Sequence, residues 1–425
     1  MVKTRSIGEI KKKIEEGNAN VFTAEELMLA VENGETFSFD DIDVVTTASK
    51  GLMSGTTAIL SFKVSEPRLF RKAIEISLND IRCHVGPCPN EYLGRVDLFV
   101  FGTDKSKKRS HIYGGGNLFR DIVEGREIRV ESLTVEGKFI ESTITLEEMD
   151  FARMFCVRAA FRNYNSFINP GANSIKSIFT VTPMKGFSSE LSFCGTGILN
   201  PLENDPNLDI IGVGTPILMN NALGFIIDHG TRSSQLRPNL MSLADMKEMD
   251  PFYMGGFKTS VGPEPINTWA IAIPILNEKI FNNLKFSDKD APLSITDIVG
   301  RGKLEDISYG DVWKKNYVVK FDHHKCPPCD LQPCPVEELC PTNCFSVIYG
   351  IDKTKCFNCG TCVNNCPEAA FECNLGAVKF QDKEVPIKLR QSDRYGALKL
   401  AEKLKDKVLN GQFPLNEPVH KITIR

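Results

Sequence analysis

The sequence predicts an α+β chain in three parts: a large mixed α/β domain, a small cysteine-rich domain and a C-terminal helix. Three observations carry this. Ten of the fourteen cysteines fall between Cys326 and Cys373, which marks a compositional boundary. Upstream of it, β-rich runs alternate with capped helical patterns. Downstream, residues 392–409 form a Lys-rich amphipathic pattern with Tyr395, Leu398, Leu400, Leu404 and Val408 at apolar positions, a helix expected to pack back on the body. The boundaries are placed at residues 1–285, a linker over 286–318, the cysteine-rich domain over 319–380, and helix and tail over 381–425.

Composition narrows the function classes. With 42% hydrophobic and 25% charged residues over 425 positions, the chain has the make-up of a folded globular protein. Its 51 basic and 54 acidic residues leave a net charge of −3, so no global positive field is available to hold nucleic acid. No apolar run approaches the ~20 residues needed to span a bilayer, and the N-terminus mixes both charge signs where a secretory signal would be apolar. A cytoplasmic protein is expected, with neither nucleic acid nor membrane as partner. In that compartment cysteines are read as metal or redox groups and not as disulfides.

The first element is a charged helix over residues 6–16. Thr23-x-x-Glu26 forms a capping box that opens a second helix ending near Gly34. Strands follow over 43–47, 58–64, 73–78 and 96–101. The turn Gly114-Gly115-Gly116-Asn117 leads into a helix over 118–124 closed by Gly125; it is either an anion site made of freed amides or a plain turn. Strands over 127–135 and 138–144 come next, then Thr145-x-x-Glu148 starts a helix to about residue 161, with Phe151, Met154, Phe155 and Arg158 at helical spacing. Two strands around Met219-Asn220-Asn221 occupy 209–232, and His229 there is read as a hydrogen-bonded structural residue. Gly212-x-Gly214 lacks the third glycine of a dinucleotide loop. A strand and helix over 268–284 close the large region.

The cysteine spacing carries the most specific chemistry. Cys356-x2-Cys359-x2-Cys362-x3-Cys366-Pro367 matches the bacterial ferredoxin run for a 4Fe-4S cluster at every interval. Cys326-x2-Cys329-x4-Cys334-x5-Cys340-Pro341 is a stretched version of the same run, and CPTNCF from Cys340 parallels CPEAAF from Cys366, as in a duplicated fold. Crossed ligation then puts Cys326, Cys329, Cys334 and Cys366 on one cluster and Cys356, Cys359, Cys362 and Cys340 on the other. Two structural zinc sites are the alternative. Cys344 and Cys373 are left over and read as small buried hydrophobes.

VVTTASKGLMSG, YGGGNLFRDIVEG, RNYNSFINPG, the strand pair ending DHGT and IPILNE together resemble the homocysteine-biosynthesis family, whose members include L-aspartate semialdehyde sulfurtransferase. With its fused cysteine-rich segment the chain is similar to the branch called methanogenesis marker 16 metalloprotein. The resemblance implies an enzyme that turns a small anionic aldehyde into a thiol, taking sulfur from sulfide or a carrier and electrons from two 4Fe-4S clusters fed by an external low-potential donor. It also implies a departure. Met53-Ser54-Gly55 stands where the aspartate semialdehyde enzymes carry Met-Cys-Ser, and their later cysteine near residues 136–139 is absent here. Serine cannot carry persulfide sulfur, so either other thiols take that role or free sulfide is used; the resemblance to a branch restricted to methanogens implies sulfoacetaldehyde as the substrate, giving coenzyme M, with L-aspartate semialdehyde to homocysteine as the alternative. An electron-transfer or assembly subunit is the reading from another class.

Among the isolated cysteines, Cys88 sits in a Gly-Pro and Pro-Asn turn and Cys194 precedes a glycine-rich stretch; each either carries sulfur or packs. Cys83 and Cys156 are expected to be buried. Arg120, Arg158 and Arg162 are weighed as anion clamps against solvated helix surface.

Overall fold

The computed structural model describes residues 3–86, 92–159, 165–235, 237–313, 317–326 and 333–424. Its spine is a long antiparallel pair, Val44–Leu52 and Gly262–Pro274, with Thr47 opposite Ile271. The second of these strands is buried along its whole length, because the C-terminal helix Arg394–Leu409 lies across both with Ala397, Leu400, Ala401, Leu404 and Val408 turned inward. That helix packs back on the body as its pattern requires.

On one flank Val21–Thr23 pairs parallel with Val44–Leu52. On the other comes the hairpin Pro216–Met219 and Ala222–His229, whose turn residues Asn220 and Asn221 both take left-handed φ, 50° and 76°. Paired left-handed residues give the turn the twist of its strands. The sheet continues through Leu240–Asp245, Phe151–Cys156, Thr56–Lys63, Arg95–Phe101, Ile81–Val85, Ala73–Leu78, Ile128–Thr134 and Phe139–Ile144. Both N-terminal helices, Ile7–Glu15 and Ala24–Glu32, start at capping boxes, Ser6 with Glu9 and Thr23 with Glu26.

Two expectations are corrected. Residues 151–156 form a strand and not the middle of a helix; the Thr145–Glu148 capping bonds exist, but they close a single turn. The stretch expected to link the domains, 286–318, instead supplies strands Pro292–Asp297 and Lys303–Ser308 and the short helix Tyr309–Val312. These strands join Ser166–Ile168, Leu191–Phe193, Lys383–Arg390 and Ala377–Phe380 in a second sheet, so residues before and after the cysteine-rich segment share one ladder.

The cysteine-rich segment is inserted between these strands and repeats itself. Lys320–Phe321 pairs with Phe371–Glu372, and Phe345–Ser346 with Gly350–Ile351. A short helix precedes each Cys-Pro, Pro335–Leu339 before Cys340 and Thr361–Asn365 before Cys366. Phe345 and Phe371, at matching places in the two halves, meet edge to face with centroids 4.8 Å apart. The segment is fastened to the large sheet where the Lys258 amide donates to Pro341 O at 2.8 Å and Phe257 packs on Phe357 at 5.2 Å. Among the described residues no helix is long and apolar enough to cross a membrane.

Candidate functional site

The two sheets meet where Gly51 bridges Ser392, and a cavity of about 70 Å³ opens beside that bridge. Its walls come from distant parts of the chain: the turn at Met53 and Ser54, where the chain leaves Val44–Leu52 for the distant strand Thr56–Lys63, Cys194 at the end of a strand in the second sheet, Glu264 in the spine, and Gln391 and Ser392 after the strand Lys383–Arg390. The Cys194 thiol donates to Gln391 Oε1 at 3.1 Å, and Gln391 Nε2 donates to Ile178 O. Burial pushes the Cys194 thiol well above its ordinary pKa, with Arg301 pulling the other way. Gly195 takes φ +132°, and a Cβ there would lie 2.0 Å from the Tyr309 hydroxyl, which itself donates to Cys194 O at 3.2 Å. Only glycine permits that approach.

Glu264 is the residue that sequence reasoning missed. It is 8% exposed. Burial raises its carboxyl above the ordinary range against a hydrogen bond to Ser54, and Oε2 is buried with no hydrogen-bond partner among the described residues. A carboxyl so placed keeps its proton to higher pH than an exposed one and is positioned to donate it to an oxygen in the cavity. The sequence signal was an acid between prolines, Pro263-Glu264-Pro265, at the head of a strand with no solvent face.

Leu52, Ser54, Ile178 and Phe179 also wall a second, larger chamber of about 290 Å³, which contains Arg158, Arg232, Arg237 and Arg301. The two chambers adjoin across the Ser54 turn.

A third cavity is lined by Cys340, Cys344, Cys356, Cys359 and Cys362 with Phe345, Phe357 and Phe371. The Cys340 and Cys344 sulfurs are 3.5 Å apart, and the Cys344 amide donates to Cys340 Sγ at 3.3 Å. Their thiol contact lowers the Cys340 pKa and raises that of Cys344. Burial pushes Cys359 up to about 12. Among the described residues no three His, Cys, Asp or Glu side chains close on one point to hold a single ion; these sulfurs ring a space. Cys326, Cys334 and Cys366 belong, with Val336 and Ala370, to the same apolar core as Cys340, Cys344, Cys356 and Cys362.

The sulfur-lined cavity is linked to the first by one backbone hydrogen bond. The Arg390 amide donates to Cys359 O at 3.0 Å, and the next residue, Gln391, holds Cys194. Cys359 belongs to a small apolar cluster with Phe257, Ile266 and Phe357 against which Leu52, one residue from the Met53–Ser54 turn, also packs.

Other sequence candidates fall elsewhere. Cys88, Cys329 and Arg162 lie outside the described residues. In the glycine turn the amide of Gly114 donates to Asn117 Oδ1, Gly115 to Asp104 O, Gly116 to Gly102 O and Asn117 to Gly114 O, all within 3.1 Å. Those amides serve the fold, and a Cβ on Gly115 would meet Phe101 O at 2.1 Å, so close packing accounts for the glycines. Arg120 is buried and ties its helix to Met254 O and Thr354 O. His229 bonds Asp228 at the surface. Cys83 and Cys156 are buried, and Cys373 accepts from Arg390 at 3.5 Å.

Residues 19–415 match the family described as homocysteine biosynthesis enzyme, sulfur-incorporation. The chain belongs to this family. It is 43% identical over 412 residues to an uncharacterized protein of Methanothermobacter thermautotrophicus, covering 96% of this chain and 94% of that one. An uncharacterized protein of Methanocaldococcus jannaschii is 40% identical over 94% of this chain and its own whole length. L-aspartate semialdehyde sulfurtransferase of Methanosarcina acetivorans is 32% identical over 72% of this chain and 62% of its own length. No solved structure matches the chain. As a member of the homocysteine-biosynthesis family, the protein is an enzyme of the sulfurtransferase type, and its fold combines a sheet-rich α+β body with a C-terminal helix.

Proposed function

We propose that this family member inserts sulfur reductively into a small anionic aldehyde at the cavity between the two sheets. The observation that carries the reading is the short link from the sulfur-lined cavity to that one: Cys359 O accepts from the Arg390 amide, and the adjacent Gln391 holds Cys194. The overall change, aldehyde plus hydrogen sulfide plus two electrons and two protons giving a primary thiol plus water, needs both a protonated acid and a reductant. An all-sulfur donor set in an apolar cavity fits an iron-sulfur cluster, with Cys340, Cys356, Cys359 and Cys362 as its ligands. Cys326, Cys334 and Cys366, with Cys329, would hold a second one in a bacterial-type ferredoxin arrangement, supported by the repeated strand pairs. Two such 4Fe-4S clusters supply low-potential electrons one at a time.

The chain's own residues do the rest. Glu264 donates its proton to the carbonyl oxygen as negative charge develops there, and Ser54 orients the carboxyl. The apolar walls at Leu52, Ile178 and Phe179 exclude water from the adduct. Cys194 is the described thiol at the cavity that would take sulfane sulfur from a persulfide donor, a route that needs two electrons beyond the two for free sulfide. If Cys194→Ser forms thiol from free sulfide at the wild-type rate, sulfide adds directly to the carbonyl.

The family's description and the named relatives favour L-aspartate semialdehyde, giving homocysteine. The second reading, sulfoacetaldehyde giving coenzyme M, rests on the resemblance to the methanogen branch, and Ser54, in the shared wall of both chambers where the family resemblance sets a cysteine, bears on how sulfur is delivered. Anaerobic protein assayed with each aldehyde, sulfide and a low-potential reductant separates the two by the thiol formed. Iron and acid-labile sulfide near eight per chain are expected, falling by about half in Cys359→Ser. Zinc in their place, or no thiol from either aldehyde, refutes the reading.

A further inference from the structure

The two halves of the cysteine-rich segment fold alike after each Cys-Pro. Asn343 and Ala369, three residues beyond Cys340 and Cys366, take left-handed φ, 51° and 49°. That conformation aims the next amide back at the cysteine sulfur: Cys344 donates to Cys340 Sγ at 3.3 Å, and Ala370 to Cys366 Sγ at 3.5 Å. The difference lies in the side chain at this position. One half has the buried methyl of Ala370, the other the buried thiol of Cys344. Cys344 Sγ lies 3.5 Å from Cys340 Sγ, is within hydrogen-bond reach of Cys356 as well, and lines the sulfur-lined cavity.

A cysteine that holds iron does so as the thiolate, which has no proton to give. With Cys340 as a ligand, the donor in the 3.5 Å contact is therefore the Cys344 thiol. It adds to the amide bond that both halves share and to the more distant Thr342 hydroxyl at 3.9 Å. Hydrogen bonds to ligand sulfur stabilise the more negative, reduced state of a cluster and raise its potential. We propose that Cys344 is a positioning residue for electrons: acting through Cys340, its thiol lifts the potential of the cluster held by Cys340, Cys356, Cys359 and Cys362 above that of the other, so that an electron entering the segment comes to rest beside the reaction cavity. Cys359 of this set is the residue whose carbonyl bonds the Arg390 amide. The inference rests on the two-cluster, reductive reading and adds the order in which the two sites fill.

Redox titration of the anaerobic full-length protein, followed by electron paramagnetic resonance, tests it without turnover. The wild type should take up its first and second electrons at separated midpoints. Cys344→Ala, which copies the Ala370 half, should keep iron at about eight per chain and lower the upper midpoint, cutting the first electron's preference for that cluster about tenfold, equivalent to about 59 mV. Cys344→Ser retains a donor and should fall nearer the wild type. Midpoints that do not move in Cys344→Ala overturn the proposal, and so does loss of half its iron, which would make Cys344 a ligand. Unmoved midpoints in a protein that forms thiol sink the tuning role and spare the sulfur-insertion reading. A lowered midpoint in Cys344→Ala, with no thiol from either aldehyde in the wild type, does the reverse.

Discussion

Glu264 shows how much one side chain's surroundings decide. Here the strand Gly262–Pro274 buries the carboxyl, leaves one oxygen without a partner among the described residues, and raises its pKa above that of an exposed glutamate. Folded protein therefore binds more protons than the unfolded chain between the ordinary and the raised pKa, and this group makes stability fall as pH rises through that window. Glu264→Gln should remove that part of the slope in denaturant titrations run across acid to neutral pH. The same substitution should cut thiol formation by about 10²-fold or more and abolish the loss of rate that the wild type shows once pH passes the raised pKa. Unchanged turnover and an unchanged slope together would take Glu264 out of the proposed chemistry. Gly115 makes a second point at this scale. Gly115→Ala puts a methyl 2.1 Å from Phe101 O and should cost several kcal/mol, whereas Gly125→Ala, with open space but φ +72°, should cost about 1 kcal/mol. Comparing the two melting curves checks that the glycine turn is a packing device.

Among elements, helix starts follow local rules and helix continuation does not. Thr23 and Glu26 exchange both capping bonds, at 3.1 and 2.7 Å, and a nine-residue helix follows. Thr145 and Glu148 also bond, at 2.8 Å, yet the chain turns once and enters the strand Phe151–Cys156. A capping box specifies only the first turn. The continuation was settled by the open edges of Thr56–Lys63 and Leu240–Asp245, between which residues 151–156 complete the ladder. The alternation that marks this strand, Ala152, Met154 and Cys156 inward, was masked by large residues on the other face at positions that also suit a helix. Thr23→Ala should lower stability by about 1 kcal/mol in urea titrations without changing the thiol product. Thr145→Ala is expected to have a smaller effect, since no helix depends on it.

For the whole molecule, the arrangement turns on residues that join segments far apart in the chain. Arg394, 1% exposed, pairs with Glu25 of the second helix and with Asp288 of the stretch expected to be a linker. Nearby, Lys50 pairs with Asp393, which accepts from Asn358 of the cysteine-rich segment at 3.1 Å. Removing one partner leaves buried charge without compensation, so Arg394→Met should cost about 3–5 kcal/mol. The loss should appear in one transition that includes the cysteine-rich segment, because the second sheet takes strands from both sides of it. Two separated transitions, with the body melting first, would argue that the segment stands alone.

The cysteine runs, the capping boxes and the Asn-Asn hairpin were legible because each is a local pattern in which neighbours along the chain impose the geometry. The family resemblance was legible for the same reason, through short strings. The reaction cavity was not. Ser54, Cys194, Glu264 and Gln391 are separated by long stretches of chain and meet only because a strand after the cysteine-rich segment returns to pair with Leu191–Phe193. The arginine chamber likewise draws on three loops whose approach no spacing rule encodes. Nearest neighbours dictate turns and caps, whereas long-range strand pairing and burial decide which distant side chains share a space and which carboxyl keeps its proton.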